Sequence, residues 1–146
     1  MSENVQLLEN QYVLFELGKE YYGIDIHNVQ TIEKVIDITR VPHSPTYVEG
    51  VINLRGEIIP VINLRTRLNL ENVQLTSDSR IIITKCDEVI VGLLVDSSSE
   101  VIKLDKIQLE DAPKVSENVS EKNIKAIGKD KERIIILLDI EGILQS

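Results

Sequence analysis

Two histidines, one cysteine and 24 acidic residues are the groups in this 146-residue chain with the chemistry to make or break bonds. Nucleophilic catalysis would need a serine or Cys86 held beside His27 or His43. No Gly-x-Ser-x-Gly elbow presents a serine. Neither histidine stands at metal-ligand spacing from Cys86 or from the other histidine. The seven glycines are scattered, so no loop cradles phosphate. Asp25, Glu33 and Glu49 could pair for acid–base work, but among 24 carboxylates such proximity arises by chance and carries no signal. The expectation is a chain with no catalytic centre, no metal and no cofactor: a binding module rather than an enzyme.

The elements that would position a binding surface are mostly strands. Hydrophobic residues make up 42% of the chain, and they are Ile, Val and Leu with only 3% aromatic, a β-branched bias that suits pleated surfaces. Strand-like runs cover Tyr12 to Leu17, Tyr21 to Ile26, Val51 to Leu54, Ile58 to Leu64, Arg80 to Thr84, Val89 to Val95, Val101 to Leu104 and Ile134 to Leu138. Val29, Ile32 and Val35 recur at three-residue spacing, which predicts a helical turn passing into a strand before Pro42. Leu64 to Leu70 reads as a short helix and Ile140 to Gln145 as a terminal one. Polar residues from Leu70 to Ser79 mark a linker, and Asp105 to Glu121 reads as irregular.

The net charge of −8 repels phosphate backbones and anionic lipids, so nucleic-acid binding is not expected. A lone cysteine fits a reducing compartment and a small buried side chain. Met1 to Asn10 has neither a basic region nor an apolar core, and the run Ile134 to Leu138 is too short to span a bilayer. Together these predict a cytoplasmic protein without membrane insertion.

The strand pattern repeats. Tyr12-Val13-Leu14 stands 69 residues before Ile81-Ile82-Ile83, and the same offset carries Gly23 to Gly92 and Ile32 and Val35 to Val101 and Leu104. Beyond an insertion the offset becomes 76, carrying Val48 to Ile124, Val51 to Ile127, Ile58-Ile59 to Ile134-Ile135 and Val61 to Leu137. This predicts an internal duplication, with a first half at 1–75 (including an N-terminal tail) and a second at 76–146, together one domain. Each half supplies about five short strands, enough for a small barrel.

Duplication makes differences informative. The second half turns its last hairpin with Lys129-Asp130-Lys131-Glu132-Arg133, which reads as a solvated tip. The first half has Asn53-Leu54-Arg55-Gly56-Glu57 there. An arginine beside apolar side chains is a common hot-spot composition, and its planar guanidinium offers several donors. Arg55 is the leading binding candidate, and an exposed Val29, Ile32 or Val35 beside it would mark a partner groove.

Tyr22-Gly23-Ile24-Asp25-Ile26 with Val29 and Ile32, then Val41-Pro42-x-x-Pro45-x-Tyr47-Val48-x-Gly50-Val51-Ile52-Asn53-Leu54-Arg55-Gly56, and Ile58-Ile59-Pro60-Val61-Ile62-Asn63-Leu64-Arg65 together resemble the chemotaxis coupling protein family, CheW. Val91-Gly92-Leu93-Leu94-Val95-Asp96 and Val101 extend the likeness more weakly. The resemblance implies a mainly β fold of two SH3-like five-stranded barrels with short helices. It implies a non-catalytic adaptor that couples transmembrane chemoreceptors to the histidine kinase CheA in signal-transduction arrays. The partners it implies are the regulatory domain of CheA and the receptor's cytoplasmic hairpin tip, with recruitment to membrane receptor arrays. Carried over, Arg55, Val29, Ile32, Gly50, Val51 and Asn53 are receptor-binding residues, and the kinase-facing surface receives no residue. Thr31 stands where many relatives have an acid, which leaves Glu33 to supply one. Gly23 is expected at a bulge or close packing, and Pro60 on an edge strand. Two other readings remain open: a CheW-like scaffold for another kinase system, and a small β-domain hydrolase or nucleotide-binding protein.

Overall fold

The computed structural model describes residues 10–105, 108–110 and 123–145. Among the described residues, eleven strands run in the order β1 (Gln11–Leu17), β2 (Glu20–Asp25), β3 (Val29–Lys34), β4 (Val48–Leu54), β5 (Glu57–Asn63), β6 (Arg80–Cys86), β7 (Val89–Val95), β8 (Ser97–Lys103), β9 (Leu109–Glu110), β10 (Ile124–Asp130) and β11 (Arg133–Leu138). Two short helices follow the matching strands β5 and β11: α1 (Leu64–Arg67) and α2 (Ile140–Leu144). The mainly β expectation and the short C-terminal helix therefore hold. The N-terminal tail and most of the expected irregular stretch after Asp105 lie outside the described residues.

Two sheets form, with orders β8-β1-β2-β11-β10-β9 and β3-β6-β7-β5-β4. The repeat is visible in their register. Val61 pairs with Gly92 in the parallel β5–β7 ladder, and Leu137 pairs with Gly23 in the parallel β11–β2 ladder. These are the positions that the two offsets equate. Register shifts also recur at matching places, between Val48 and Gly50 and between Ile124 and Ala126.

Each sheet draws strands from both sequence halves, 1–75 and 76–146. Each sheet takes the first hairpin of one repeat and the remaining strands of the other. The cause is local. After β2 a three-residue 3-10 turn, Ile26–Asn28, does not reverse the chain onto its own hairpin. Asp25 accepts from the His27 N–H at 2.9 Å, and the Asn28 amide donates to the Lys85 carbonyl at 3.2 Å. Those bonds deliver β3 to β6. The same turn corrects the helical reading of Val29, Ile32 and Val35: Val29 and Ile32 lie in a strand and Val35 just beyond it.

Burial explains why β1, β2, β6 and β7 read as continuous apolar runs. Each is covered on both faces, the pattern of a strand inside a layered structure. On β1, Tyr12 and Leu14 fill one barrel, while Val13, Phe15 and Leu17 enter a core between the barrels. On β6, Ile81 and Ile83 fill the other barrel and Ile82 enters the shared core. Leu93 and Val95 of β7, with Ile140 and Ile143 of α2, complete that shared core.

Glycines close the barrels where inward side chains would collide. A β-carbon on Gly23 would meet Leu137 Cδ2 at 2.7 Å, and one on Gly92 would meet Ile81 Cγ2 at 2.6 Å. Gly23 thus serves close packing, with no bulge at its position in either of its pairings. Pro60 is not on an edge strand, since β5 lies between β7 and β4. It is tolerated because the β5–β7 ladder begins one residue later, at Val61, so its missing N–H breaks no bond there.

A polar clasp ties the two sheets. Asp96 accepts from Arg65 Nε at 2.9 Å, from Arg65 Nη2 at 2.6 Å and from the Gly18 N–H at 2.7 Å. The paired guanidinium, with help from Gly18, holds the Asp96 carboxyl below its ordinary 3.8. A depressed carboxyl stabilises the fold fully above its ordinary value and loses that contribution as pH falls through the folded value. Thermal midpoints should therefore fall below about pH 4, and Asp96→Asn should lower the neutral midpoint and flatten that acid limb. An unchanged acid limb in the variant would remove the clasp as its source. A second arginine fixes the terminal helix: Arg67 donates to the carbonyls of Ile143 and Gln145 at 2.9 and 2.7 Å, and its guanidinium lies 5.2 Å from the Tyr47 ring centre.

Candidate functional site

Arg55 sits at the tip of the β4–β5 hairpin. Arg55 and Gly56 both have positive φ, 52° and 87°, the geometry of the two-residue turns that follow the natural twist of a hairpin. Asn53 completes the turn by accepting the Gly56 N–H at 2.9 Å. The arginine thus projects from a fixed backbone, and its side chain is 70% exposed. Its Nη2 lies 3.4 Å from Glu33 Oε1 on β3. Between β3 and the hairpin lies a shallow depression lined by Gln30, Thr31, Leu54, Arg55, Glu57 and Ile83.

Register shows which way β3 directs its side chains. Thr31 and Glu33 pair with Ile83 and Ile81, which fill the barrel interior, whereas Ile32 pairs with Ile82 of the shared core. Directly opposed residues share a face, so Glu33 leans over the barrel mouth toward Arg55. Ile32 and Val29 belong to the opposite side. Val29 packs against the shared core, and Ile32 is 41% exposed at its margin. Val29 and Ile32 therefore share one face of the edge strand β3, and Arg55 stands at the neighbouring tip on the side that Glu33 faces.

Gly50 and Val51 lie farther up the same hairpin. Val51 and Thr39 exchange backbone hydrogen bonds, both at 2.8 Å, so the loop after β3 adds a short rung to β4. Gly50 allows it: with φ at 150°, a β-carbon there would overlap the Thr39 carbonyl oxygen and lie 2.8 Å from its carbon. Gly50 is buried and Asn53 is spent on the turn. The geometry gives both a shaping role around Arg55.

The second hairpin is not the plain solvated tip that its composition suggested. Arg133 donates through Nη1 to Glu100 at 2.6 Å and through Nη2 to Asp130, and its guanidinium lies 5.2 Å from the Tyr21 ring centre. These contacts hold the guanidinium even more firmly protonated than usual, chiefly through Glu100. Glu100 occupies the repeat position of Thr31, and Arg133 that of Glu57. The duplication thus supplies an internal control. One arginine is held on three sides by its own barrel; the other stands on a rigid turn with one long contact. Tyr21 and Glu100 were missed as partners of Arg133 because they are distant in sequence. The sole local signal is Asp130, three residues before the arginine.

The groups considered for bond chemistry are dispersed. His27 Nδ1 lies 2.8 Å from Asp25 Oδ1, with Lys125 Nζ at 3.8 Å from the same carboxylate. His43 is in an exposed loop at positive φ. Cys86 packs against the shared core, and burial, with Asp87, Glu141 and Asp139 nearby, raises its thiol above 9.0, which keeps it protonated and a poor nucleophile. Among the described residues, no helix is long and apolar enough to cross a membrane.

Residues 11–146 match the sequence profile of the CheW-like domain. The chain is 37% identical to the chemotaxis protein CheW of Bacillus subtilis (strain 168) over 144 residues, covering 99% of this chain and 92% of that protein. It is 38% identical to CheW of Thermotoga maritima over 139 residues, covering 95% and 90%. Among solved structures it is similar to the scaffolding protein TtCheW from Thermoanaerobacter tengcongensis, with a TM-score of 0.86, 36% identity, and coverage of 94% of this chain and 88% of that one.

Proposed function

The chain belongs to the CheW-like domain family of chemotaxis scaffold proteins, and on that premise we propose that it couples transmembrane chemoreceptors to the regulatory domain of the histidine kinase CheA without catalysing a reaction. The observation that carries this reading is the contrast between Arg55 and Arg133. A guanidinium held 70% exposed on a fixed turn, where the duplicate barrel binds its own arginine internally, is preorganised for an outside acceptor. The receptor's hairpin tip would meet the β3 edge, with Val29 and Ile32 supplying apolar contact on the shared-core side and Arg55 an anchor at the barrel mouth. Coupling is positional. Two barrels clasped through Asp96 and a common core form one body, which fixes the geometry between receptor and kinase. Individually weak contacts act strongly in an array because linked sites raise effective concentration. The protein would be cytoplasmic and recruited to receptor arrays through these contacts.

The test is a pull-down of the chain with a CheA regulatory domain and, separately, with a chemoreceptor cytoplasmic hairpin fragment. Both should be retained, and together they should form a ternary complex. Failure to retain either one would overturn the coupling role.

A further inference from the structure

The two short helices occupy matching places in the repeat, but they are finished differently. After α1 the chain closes on itself: the N–H groups of Leu68, Asn69 and Leu70 donate to the carbonyls of Leu64, Thr66 and Arg65 at 3.0, 3.1 and 2.7 Å. In α2 the backbone supplies less. The Ile143 N–H donates to the Asp139 carbonyl at 3.0 Å and the Gln145 N–H to that of Glu141 at 3.2 Å, and the last turn carries no basic residue. Carbonyls left over at a helix C-terminus need donors from elsewhere. Arg67 provides them from α1. Its Nε donates to the Ile143 carbonyl at 2.9 Å, and its Nη2 to the carbonyls of Gly142 at 3.4 Å and Gln145 at 2.7 Å. The 76-residue offset carries Arg67 to Ile143, so the arginine holds its own repeat counterpart. The Tyr47 ring backs the guanidinium, and a cation there also suits the negative end of the helix. Because position 143 is apolar, the tie is not returned.

A helix of five residues has too few internal bonds to stand alone. Ile140 and Ile143 anchor α2 in the shared core, and Arg67 closes its far end. We propose that α2 opens as a unit while both barrels stay folded, and that Arg67 is the positioning residue that holds it shut. Elements with few internal bonds are where such partial opening starts. The consequence reaches the apolar side of β3. Asp139 and Glu141, at the start of α2, both act on the Cys86 thiol. Cys86 stands two residues from Thr84 on β6, on the same face, and Thr84 pairs with Val29. Opening α2 therefore uncovers Ile140 and Ile143 and loosens the core beneath Val29. The inference goes beyond the coupling reading and does not rest on it, and its test uses this chain alone.

The experiment is native-state hydrogen exchange, followed by NMR in low urea, on the unaltered chain, Arg67→Met, Arg67→Lys and Asp96→Asn. In the unaltered chain the Ile143 amide should exchange at least about tenfold faster than the amides of the β6–β7 ladder, and with a weaker dependence on urea, because little surface is exposed when α2 opens alone. Arg67→Met keeps the stem and removes the donors. It should speed Ile143 exchange about ten- to a hundredfold, the weight of charge-assisted bonds in an equilibrium. Arg67→Lys, which keeps the charge without the planar fork, should fall between the two. Asp96→Asn separates local from global opening. The Arg65–Asp96 clasp stays made when α2 alone opens, so this variant should speed ladder exchange and leave Ile143 exchange unchanged. General destabilisation would not give that split. Ile143 exchanging as slowly as the ladder in the unaltered chain overturns the proposal, since α2 would then open only with the whole fold. Equal speeding of Ile143 and the ladder in Asp96→Asn overturns it for the same reason. Unchanged Ile143 exchange in both Arg67 variants removes Arg67 as the residue that holds the helix.

Discussion

Replacing Arg55 with glutamate should weaken retention of a receptor hairpin fragment by more than about 30-fold, the loss associated with a hot-spot side chain, while shifting stability by no more than about 0.5 kcal/mol, as is usual for an exposed substitution. The stability expectation follows from the 70% exposure of the arginine and its single long contact. The binding expectation follows from its fixed mounting: the turn is closed by Asn53 and Gly56, so little ordering remains to be done on contact. The substitution also sets a second carboxylate beside Glu33, and the double variant Glu33→Arg with Arg55→Glu controls for that. It restores an internal pair with inverted charges but presents the wrong sign to the receptor, so it should remain as defective as the single variant. Recovery of binding in the double variant would show that Arg55 acts only within its own barrel. Full binding by the single variant would remove Arg55 from the receptor surface altogether.

Substituting Gly50 by valine should cost more than about 3 kcal/mol in chemical denaturation, in the range reserved for clashes and special backbone conformations. Two independent causes act together. The φ of 150° lies where side-chain-bearing residues are rare, and the new β-carbon would overlap a backbone carbonyl, which cannot rotate away as a side chain would. Relief requires breaking the pair of 2.8 Å bonds between Thr39 and Val51. The second repeat provides the comparison. Ala126 occupies the matching position beside the same kind of register shift, and it is not among the residues at positive φ. There β10 is joined by the short strand β9 at Ile127 and Gly128. Ala126→Gly should therefore cost far less than Gly50→Val. A Gly50→Val variant within about 1 kcal/mol of the unaltered chain would mean that the loop after β3 yields freely, and that Gly50 is not what shapes the hairpin.

The candidate site was partly legible for a physical reason that the duplication makes plain. Arg55 stood out because its repeat position carries an ordinary turn sequence, and comparison of two copies on similar backbones isolates what one copy does differently. Glu33 entered only as a substitute for an acid missing at Thr31; its reach to Arg55 depends on β3 being an edge strand whose Thr31 and Glu33 face the barrel mouth. Arg133 was misread because the residues that bind it, Glu100 and Tyr21, come from β8 and β2. Local composition cannot register contacts made by strands that meet only when the sheets form. The three-residue spacing of Val29, Ile32 and Val35 was misleading for a related reason. A short edge strand followed by a loop can place apolar residues at helical intervals, and periodicity over so few residues does not separate the two.

By itself the sequence determined the mainly β character, most of the strands, the two short helices, the duplication, and the place of the two closely packed glycines. These rest on short-range steric preferences and on apolar patterning, which act residue by residue and survive in a linear reading. Only the tertiary structure decided which hairpin closes which barrel. Strands buried on both faces, such as β1 and β6, can complete either barrel equally well, so their apolar pattern is silent on the choice. The turn at Ile26–Asn28, held by Asp25 and by the Lys85 carbonyl, makes that choice and sends β3 across. The same crossing sets Glu33 beside Arg55 and leaves that arginine facing outward.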